Sequence, residues 1–396
     1  VPKLEPFAAL RYDPSTPLDD LIAPPYDVVG PEERAKLASR HRANSIHVEL
    51  PVEDPASDLD KYRAAERLLD SWVKEGLLRR DDVPSMYPYR MTGPDNATTT
   101  GIIGALACEP PGGDILPHEQ TIPKDKSDRL ELLRTCHANL SPIWGLSLTE
   151  GLNETYQPLG TPDRFATDDA GVLHELWVVD DPDVIESISR AVDSAPVVIA
   201  DGHHRYETAL AYRSERRAAR NGVPGDYDFV MTLVVELTED QVSVSAVHRI
   251  LAHVPDRDQL LEVVNRRFEC ERVGDATEDL AGELVRSGTL GLLVPDGTWA
   301  LTPRRETYEA AGSDLDSSLV ALALDDIGGV VPTYRQDWRD ALDAVVAGAA
   351  DAALLLRPVT VAQISDWAHA RRRMPPKSTY FQPKPRTGMV FRSVTD

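Results

Sequence analysis

The sequence predicts a mixed α/β protein of more than one domain, and three observations carry that reading. The chain has 396 residues, too many for one ordinary hydrophobic core. Helix-like and strand-like apolar periodicities alternate along it. Over residues 196–221 a buried-strand pattern runs into a turn and then a helix, as in an α/β layer. An apolar content of 42% suits a globular fold and excludes a disordered chain.

The elements follow in order. Residues 31–42 and 58–75 read as helices. The second places Tyr62, Leu68, Leu69, Trp72 and Val73 near one face, with Gly76 as its C-cap. Residues 86–91 and 99–108 read as strands, and a Pro-Pro-Gly-Gly loop ends the latter. Ser127 is placed to cap a helix over 128–137. Strands follow at 144–148 and 173–179, and Pro182 opens a helix ending near Ala191. Pro196 to Ala200 is wholly apolar, Asp201-Gly202 breaks the run, and helix formers continue from about His204 to Arg220. Residues 229–237 and 242–247 alternate like a pair of strands. From about 256 the pattern changes to helix, strand and helix over 257–267, 277–286, 289–294 and 335–347, then a strand over 352–356. The break at His253-Val254-Pro255-Asp256 divides a domain over 1–252, with an insertion around 80–180, from an α/β domain over 253–396. Residues 374–392 read as an ordered loop returning to a site, or equally as a surface tail.

Composition narrows the function classes. The chain carries 42 basic and 65 acidic residues, a net charge of −23. Such a surface repels phosphate backbones and anionic lipid, which disfavours nucleic-acid and membrane partners. No stretch approaches the roughly 18 uninterrupted apolar residues of a membrane span. Residues 1–5 lack the basic and apolar regions of a signal peptide. Cys108, Cys136 and Cys270 are far apart and never form a CxxC pair, against a disulfide framework or a thiolate zinc site. A cytoplasmic location is expected. Lysine occurs only at positions 3, 36, 61, 74, 124, 126, 377 and 384. Half of these fall within 123–126 and 377–384, either as compact ammonium charges for an anion or by chance on solvated loops.

Asp201-Gly202-His203-His204-Arg205 is the strongest candidate site. Glycine permits the tight turn. The helix N-terminus behind it offers unpaired N–H groups and partial positive charge to an anion. Arg205 adds a two-pronged donor for phosphate or carboxylate, and His203 and His204 donate or exchange protons near neutral pH. Asp201 takes a proton or holds a metal ion. The alternative is a polar turn with Asp201 as a cap and the histidines paired locally. Tyr26 and Asp27, fixed by Pro24-Pro25, line a cleft or form a plain turn. His118, Glu119, Lys124, Lys126 and Arg129 mix donors and carboxylates in a loop, for a charged substrate or simply as a solvated loop. Glu49 is a carboxylate inside a strand-like run, and His248-Arg249 follows a strand. Lys377, Ser378, Thr379 and Lys384 supply donors near the end of the sequence. No Walker A loop, GxGxxG, HExxH, GxSxG or kinase signature set is present. Adjacent histidines on a helix diverge by about 100° and make no zinc site.

These motifs together resemble the conserved bacterial and archaeal family called domain of unknown function ten-fifteen. The landmarks are Pro24-Pro25-Tyr26-Asp27-Val28, the stretch from His118-Glu119 to Arg129, Ser141-Pro142-Ile143, Asp201 to Leu210, His248-Arg249, and Pro376-Lys377-Ser378-Thr379-Tyr380-Phe381. The DGHHR motif also resembles that of free serine kinases in the ParB/sulfiredoxin-like superfamily. That resemblance implies a ParB/sulfiredoxin-like core with large insertions and a C-terminal α/β domain. It implies phosphorylation of free L-serine or a similar hydroxyl compound, with Mg²⁺ and ATP, ADP or pyrophosphate as donor. By the same analogy Asp201 activates the hydroxyl or binds metal, and His203, His204 and Arg205 hold the transferring phosphate. A separate acidic residue near the N-terminus has two candidates, Asp27 and Glu49. A non-catalytic nucleotide sensor and a phosphatase or other hydrolase are the competing readings. On the sequence alone, His204→Ala and Arg205→Ala are expected to abolish turnover with the thermal midpoint nearly unchanged.

Overall fold

A computed structural model describes residues 1–55, 58–119 and 127–395. The chain divides into two compact units. The first comprises Val1–Ser243, Ala368–Arg371 and Pro383–Asp396; the second comprises Val244–Trp367 and Arg372–Gln382. The division at 243/244 precedes the break expected at 253–256, and the chain beyond 382 belongs with the first unit. Backbone pairing explains this. Thr387 exchanges hydrogen bonds with Ala23, Phe391 does so with Leu10, and Arg392–Ser393 pairs with Ala138–Asn139.

The first unit is built on a nine-stranded sheet. Its order is Ile115–Pro117, Val197–Asp201, Ile143–Ser147, Phe229–Glu236, Thr98–Ala107, Tyr87–Thr92, Leu173–Leu176 and Arg164–Thr167, with Leu4–Glu5 against Thr98–Ala107. Residues 80–180, read from the sequence as an insertion, therefore supply much of the layer that carries the DGHHR turn. Phe229–Glu236 is buried at every position but its first, as in a strand covered on both faces of its sheet. Its partners are Thr98–Ala107 and Ile143–Ser147, not the 242–247 segment.

The helix His203–Ala219 buries Tyr206 and Ala209 in a core with Ile143, Val197, Ile199 and Val234. Each large aliphatic side chain so buried contributes roughly 1.5–3 kcal/mol, which fixes the helix N-terminus at the strand end. Pro182–Asp193 adds Ile188 and Val192 to that core.

The second unit holds a six-stranded sheet, in the order Phe268–Gly274, Gly297–Pro303, Leu290–Val294, Ala352–Leu355, His248–Leu251 and Thr333–Arg335. Within this unit, the His248 Nδ1 accepts from the Leu356 N–H at 3.1 Å. That acceptor role requires the neutral ring. Burial pushes its pKa down to about 4, against about 6.5 when unfolded. The unfolded state therefore binds a proton that the native state refuses between those values. Stability present above pH 6.5 is expected to fall by about 3 kcal/mol as pH drops toward 4. Denaturant titrations of the wild type and His248→Phe test this: the same pH slope in both would overturn it.

Candidate functional site

Strand register assembles the site around Asp201. In the run Val197–Asp201 only the last residue leaves the core. The pairing shifts register between Ile199 and Asp201, a bulge that redirects the strand end. Gly202 follows at φ +88°, and a Cβ there would lie 2.9 Å from Ile143 Cγ2. Both facts require glycine. The helix His203–Ala219 then starts with Gly202 as N-cap and no side-chain cap hydrogen bond.

The neighbouring strands deliver the next residues. Pro117 pairs with Ile199, which brings His118 to the turn. His118 Nδ1 donates to the Ile199 carbonyl at 2.6 Å. The rings of His118 and His203 lie 4.9 Å apart, and Glu119 stands 3.5 Å from His118 Nε2. On the other side Trp144 pairs with Asp201, which places Ser141-Pro142 beside the helix start. Arg205 donates to the Pro142 carbonyl at 2.5 Å, to Ser141 Oγ at 3.1 Å and to Asp201 Oδ2 at 2.8 Å.

Lys384 comes from the segment that returns to the first unit. The backbone exchange between Ala23 and Thr387 is antiparallel. The chain running forward from Ala23 therefore lies alongside the chain running backward from Thr387. Asp27 and Lys384 consequently meet, at 3.5 Å, and the ammonium also donates to Asp201 Oδ1. Arg386 anchors this segment. Its backbone N–H donates to the Tyr89 hydroxyl at 3.2 Å, and its Nε donates to Asp168 at 2.9 Å. Asp168 also accepts from His174 Nε2 at 3.0 Å. Burial opposes ionisation of Asp168, but His174 and Arg386 hold its carboxyl well below the usual carboxylate range.

Glu49 closes the other side. Residues Ile46–Glu49 form one helical turn, not the strand expected from sequence. The Asn44 side chain accepts from the Ile46 N–H at 2.9 Å and starts the turn. The Glu49 side chain is buried. It accepts from Ser141 Oγ at 3.0 Å and from the Tyr26 N–H at 3.3 Å. Arg129 braces this wall, donating to the Glu49 carbonyl at 2.6 Å with its guanidinium 4.3 Å from the Tyr26 ring centre. Arg129 and Lys61 also hold Asp128, whose pKa falls to about 2 against the opposing effect of burial.

The cluster stays charged. Burial opposes ionisation of Asp201, yet Lys384 and Arg205 outweigh it and lower its pKa. Burial likewise opposes the charge on Arg205 and on Lys384, and the carboxylates of Asp201 and Asp27 raise both. Both Asp201 oxygens thus carry cations. Among the described residues no group of three or more His, Cys, Asp or Glu side chains could hold a metal ion. With a cation on each oxygen, Asp201 does not fit the role of a metal ligand.

The structure therefore brings together Asp201, His203, Arg205, Tyr26, Asp27, Glu49, His118, Glu119, Arg129 and Lys384 within the first unit. His204 is 3.7 Å from Glu207, one helical turn on. Lys124 and Lys126 lie outside the described residues. His248, Arg249, Lys377, Ser378 and Thr379 belong to the second unit. There Arg249 donates to the Lys377 carbonyl at 3.0 Å, and the Ser378 and Ser317 hydroxyls are 2.8 Å apart. Arg386 and Asp168 belong to no motif recognisable in the sequence. Ser141 is there only a family landmark, although a serine before a proline at a strand start is a usable signal.

Among the described residues, no helix is long and apolar enough to cross a membrane. No curated protein matches the chain. Solved structures similar to it include a free serine kinase variant in complex with AMP. That likeness has 15% identity and a TM-score of 0.40, over 71% of this chain and 88% of that one. A conserved hypothetical protein from Pyrococcus furiosus is similar at 14% identity and a TM-score of 0.37, over 70% and 90% of the two chains. SbnI with a C-terminal truncation, from Staphylococcus aureus, is similar at 13% identity and a TM-score of 0.39, over 73% and 86%. The family described as protein of unknown function (DUF1015) has a model that matches residues 4–323, and the chain belongs to that family.

Proposed function

We propose that the protein is a cytoplasmic phosphotransferase that moves a phosphoryl group to the hydroxyl of free L-serine or a similar small compound. A nucleotide or pyrophosphate is the donor. The observation that carries this reading is the charge arrangement at one turn. Arg205 and Lys384 flank Asp201 at an uncapped helix N-terminus, with the buried carboxylate of Glu49 joined to Arg205 through Ser141. Phosphoryl transfer needs positioning and charge neutralisation more than covalent chemistry, and this set supplies both.

Each residue then has a role. The helix N-terminus, Arg205 and Lys384 bind the transferring phosphate, with His118 and His203 beside them. Asp201 and Asp27 hold the two cations in place. Glu49 takes the acceptor's proton as the hydroxyl oxygen forms the new P–O bond. The donor leaves with the electron pair of the P–O bond that breaks. Mg²⁺ would come with the donor's phosphates and neutralise part of their charge, while Asp201 keeps its oxygens on Arg205 and Lys384.

The test is incubation with Mg²⁺, L-serine and ATP, ADP or pyrophosphate, followed by ³¹P NMR for O-phosphoserine. Phosphate release that ignores serine would make the protein a hydrolase. Nucleotide binding without turnover would make it a sensor.

A further inference from the structure

Behind Arg205 lies a cavity of about 60 Å³. Glu49, Ser141 and Arg205 line it toward the reacting centre, while Leu132, Leu133 and Val230 give it an apolar wall. Thr208, on the helix turn after Arg205, is among its lining residues. Thr208 is 4% exposed, and its Oγ1 has no hydrogen-bond partner among the described residues. A helical threonine usually satisfies its hydroxyl on the carbonyl four residues back, and a buried polar atom without a partner is uncommon. The cavity is several times the roughly 10–15 Å³ that one water needs. It has room for a short arm of a small molecule.

We propose that Thr208 determines acceptor specificity. Its hydroxyl hydrogen-bonds a second polar group on a small hydroxyl compound whose reacting oxygen lies at Glu49. This inference rests on the phosphotransferase reading. A site built to bond a polar group discriminates strongly against an analogue that lacks it, because its own buried group is then left unpaired. Glu49, the apolar wall and Thr208 all line this one cavity. The acceptor class is therefore a short-chain alcohol bearing an amine, carboxylate or second hydroxyl within a few atoms.

The experiment compares the wild type, Thr208→Val and Thr208→Ser on L-serine, glycerate, ethanolamine and 1-propanol. The wild type is expected to favour a polar acceptor over 1-propanol. Thr208→Val is expected to reduce that kcat/KM preference about tenfold. The thermal midpoint should hold or rise, and KM for the donor should not change. Thr208→Ser, which keeps the hydroxyl, should retain the preference. An unchanged preference in Thr208→Val overturns the role of Thr208 and leaves the phosphotransferase reading standing. If the wild type phosphorylates none of the four, that reading fails. Calorimetric binding of L-serine to wild type and Thr208→Val then decides Thr208 separately, and equal or absent binding overturns it.

Discussion

Glu49→Gln is expected to slow phosphoryl transfer by roughly 10²–10⁴-fold, the range for loss of a general base, while the protein stays folded. The amide oxygen of glutamine can still accept from Ser141 Oγ and the Tyr26 N–H, the two bonds that hold the carboxylate now. The turn Ile46–Glu49 keeps its start at Asn44 and its brace from Arg129. What is lost is the ability to take a proton. The discriminating measurement is kcat against KM for the acceptor: kcat should fall while KM stays nearly unchanged. Full activity in Glu49→Gln would transfer the acid–base role to another group, with Asp27 next in line.

Arg205→Met is expected to remove turnover and also to destabilise the first unit by about 3–5 kcal/mol, as happens when one partner of a buried ion pair is deleted. For Arg205→Ala the sequence alone predicts a nearly unchanged thermal midpoint. The structure reverses that expectation, because Arg205 ties together Asp201, Ser141 and the Pro142 carbonyl. In Arg205→Met, Asp201 keeps Lys384 as its ion-pair partner among the described residues, and the Pro142 carbonyl loses a donor. A double-mutant cycle with Asp201→Asn separates pairing from packing. The double variant should lose less stability than the sum of the two singles. Additivity within about 0.5 kcal/mol would show that the two side chains are not coupled. His204→Ala, by contrast, should be mild, because His204 faces Glu207 rather than Asp201.

The DGHHR turn is legible because it combines local signals: an apolar run, a glycine and a helix-forming stretch. The residues around it were harder to place. Nothing in the sequence says that Pro117 pairs with Ile199 or that Trp144 pairs with Asp201, yet those registers bring His118 and Ser141 to the turn. Non-local pairing leaves no periodic trace. Glu49 was found as a residue but misjudged in conformation, since Ile-His-Val-Glu alternates like a strand and only the Asn44 side chain starts the turn. Phe268–Gly274 escaped notice for a similar reason. It exposes charged residues along most of its length, as an edge strand does, and its alternation is weak. The helix Asp316–Ile327 was missed because it is apolar over much of its surface and shows little 3.6-residue contrast.

The Lys384–Asp27 contact joins residues separated by 357 positions. Synthesis runs in one direction, so the whole second unit is translated before this lysine exists. A nascent chain halted earlier has Asp201 beside Arg205 but no ammonium on its other oxygen, and the loop bearing Asp27 lacks the strand-like partner that Thr387 provides. The contacts of Lys384 with Asp201 and Asp27 therefore form only once the second unit has been synthesised.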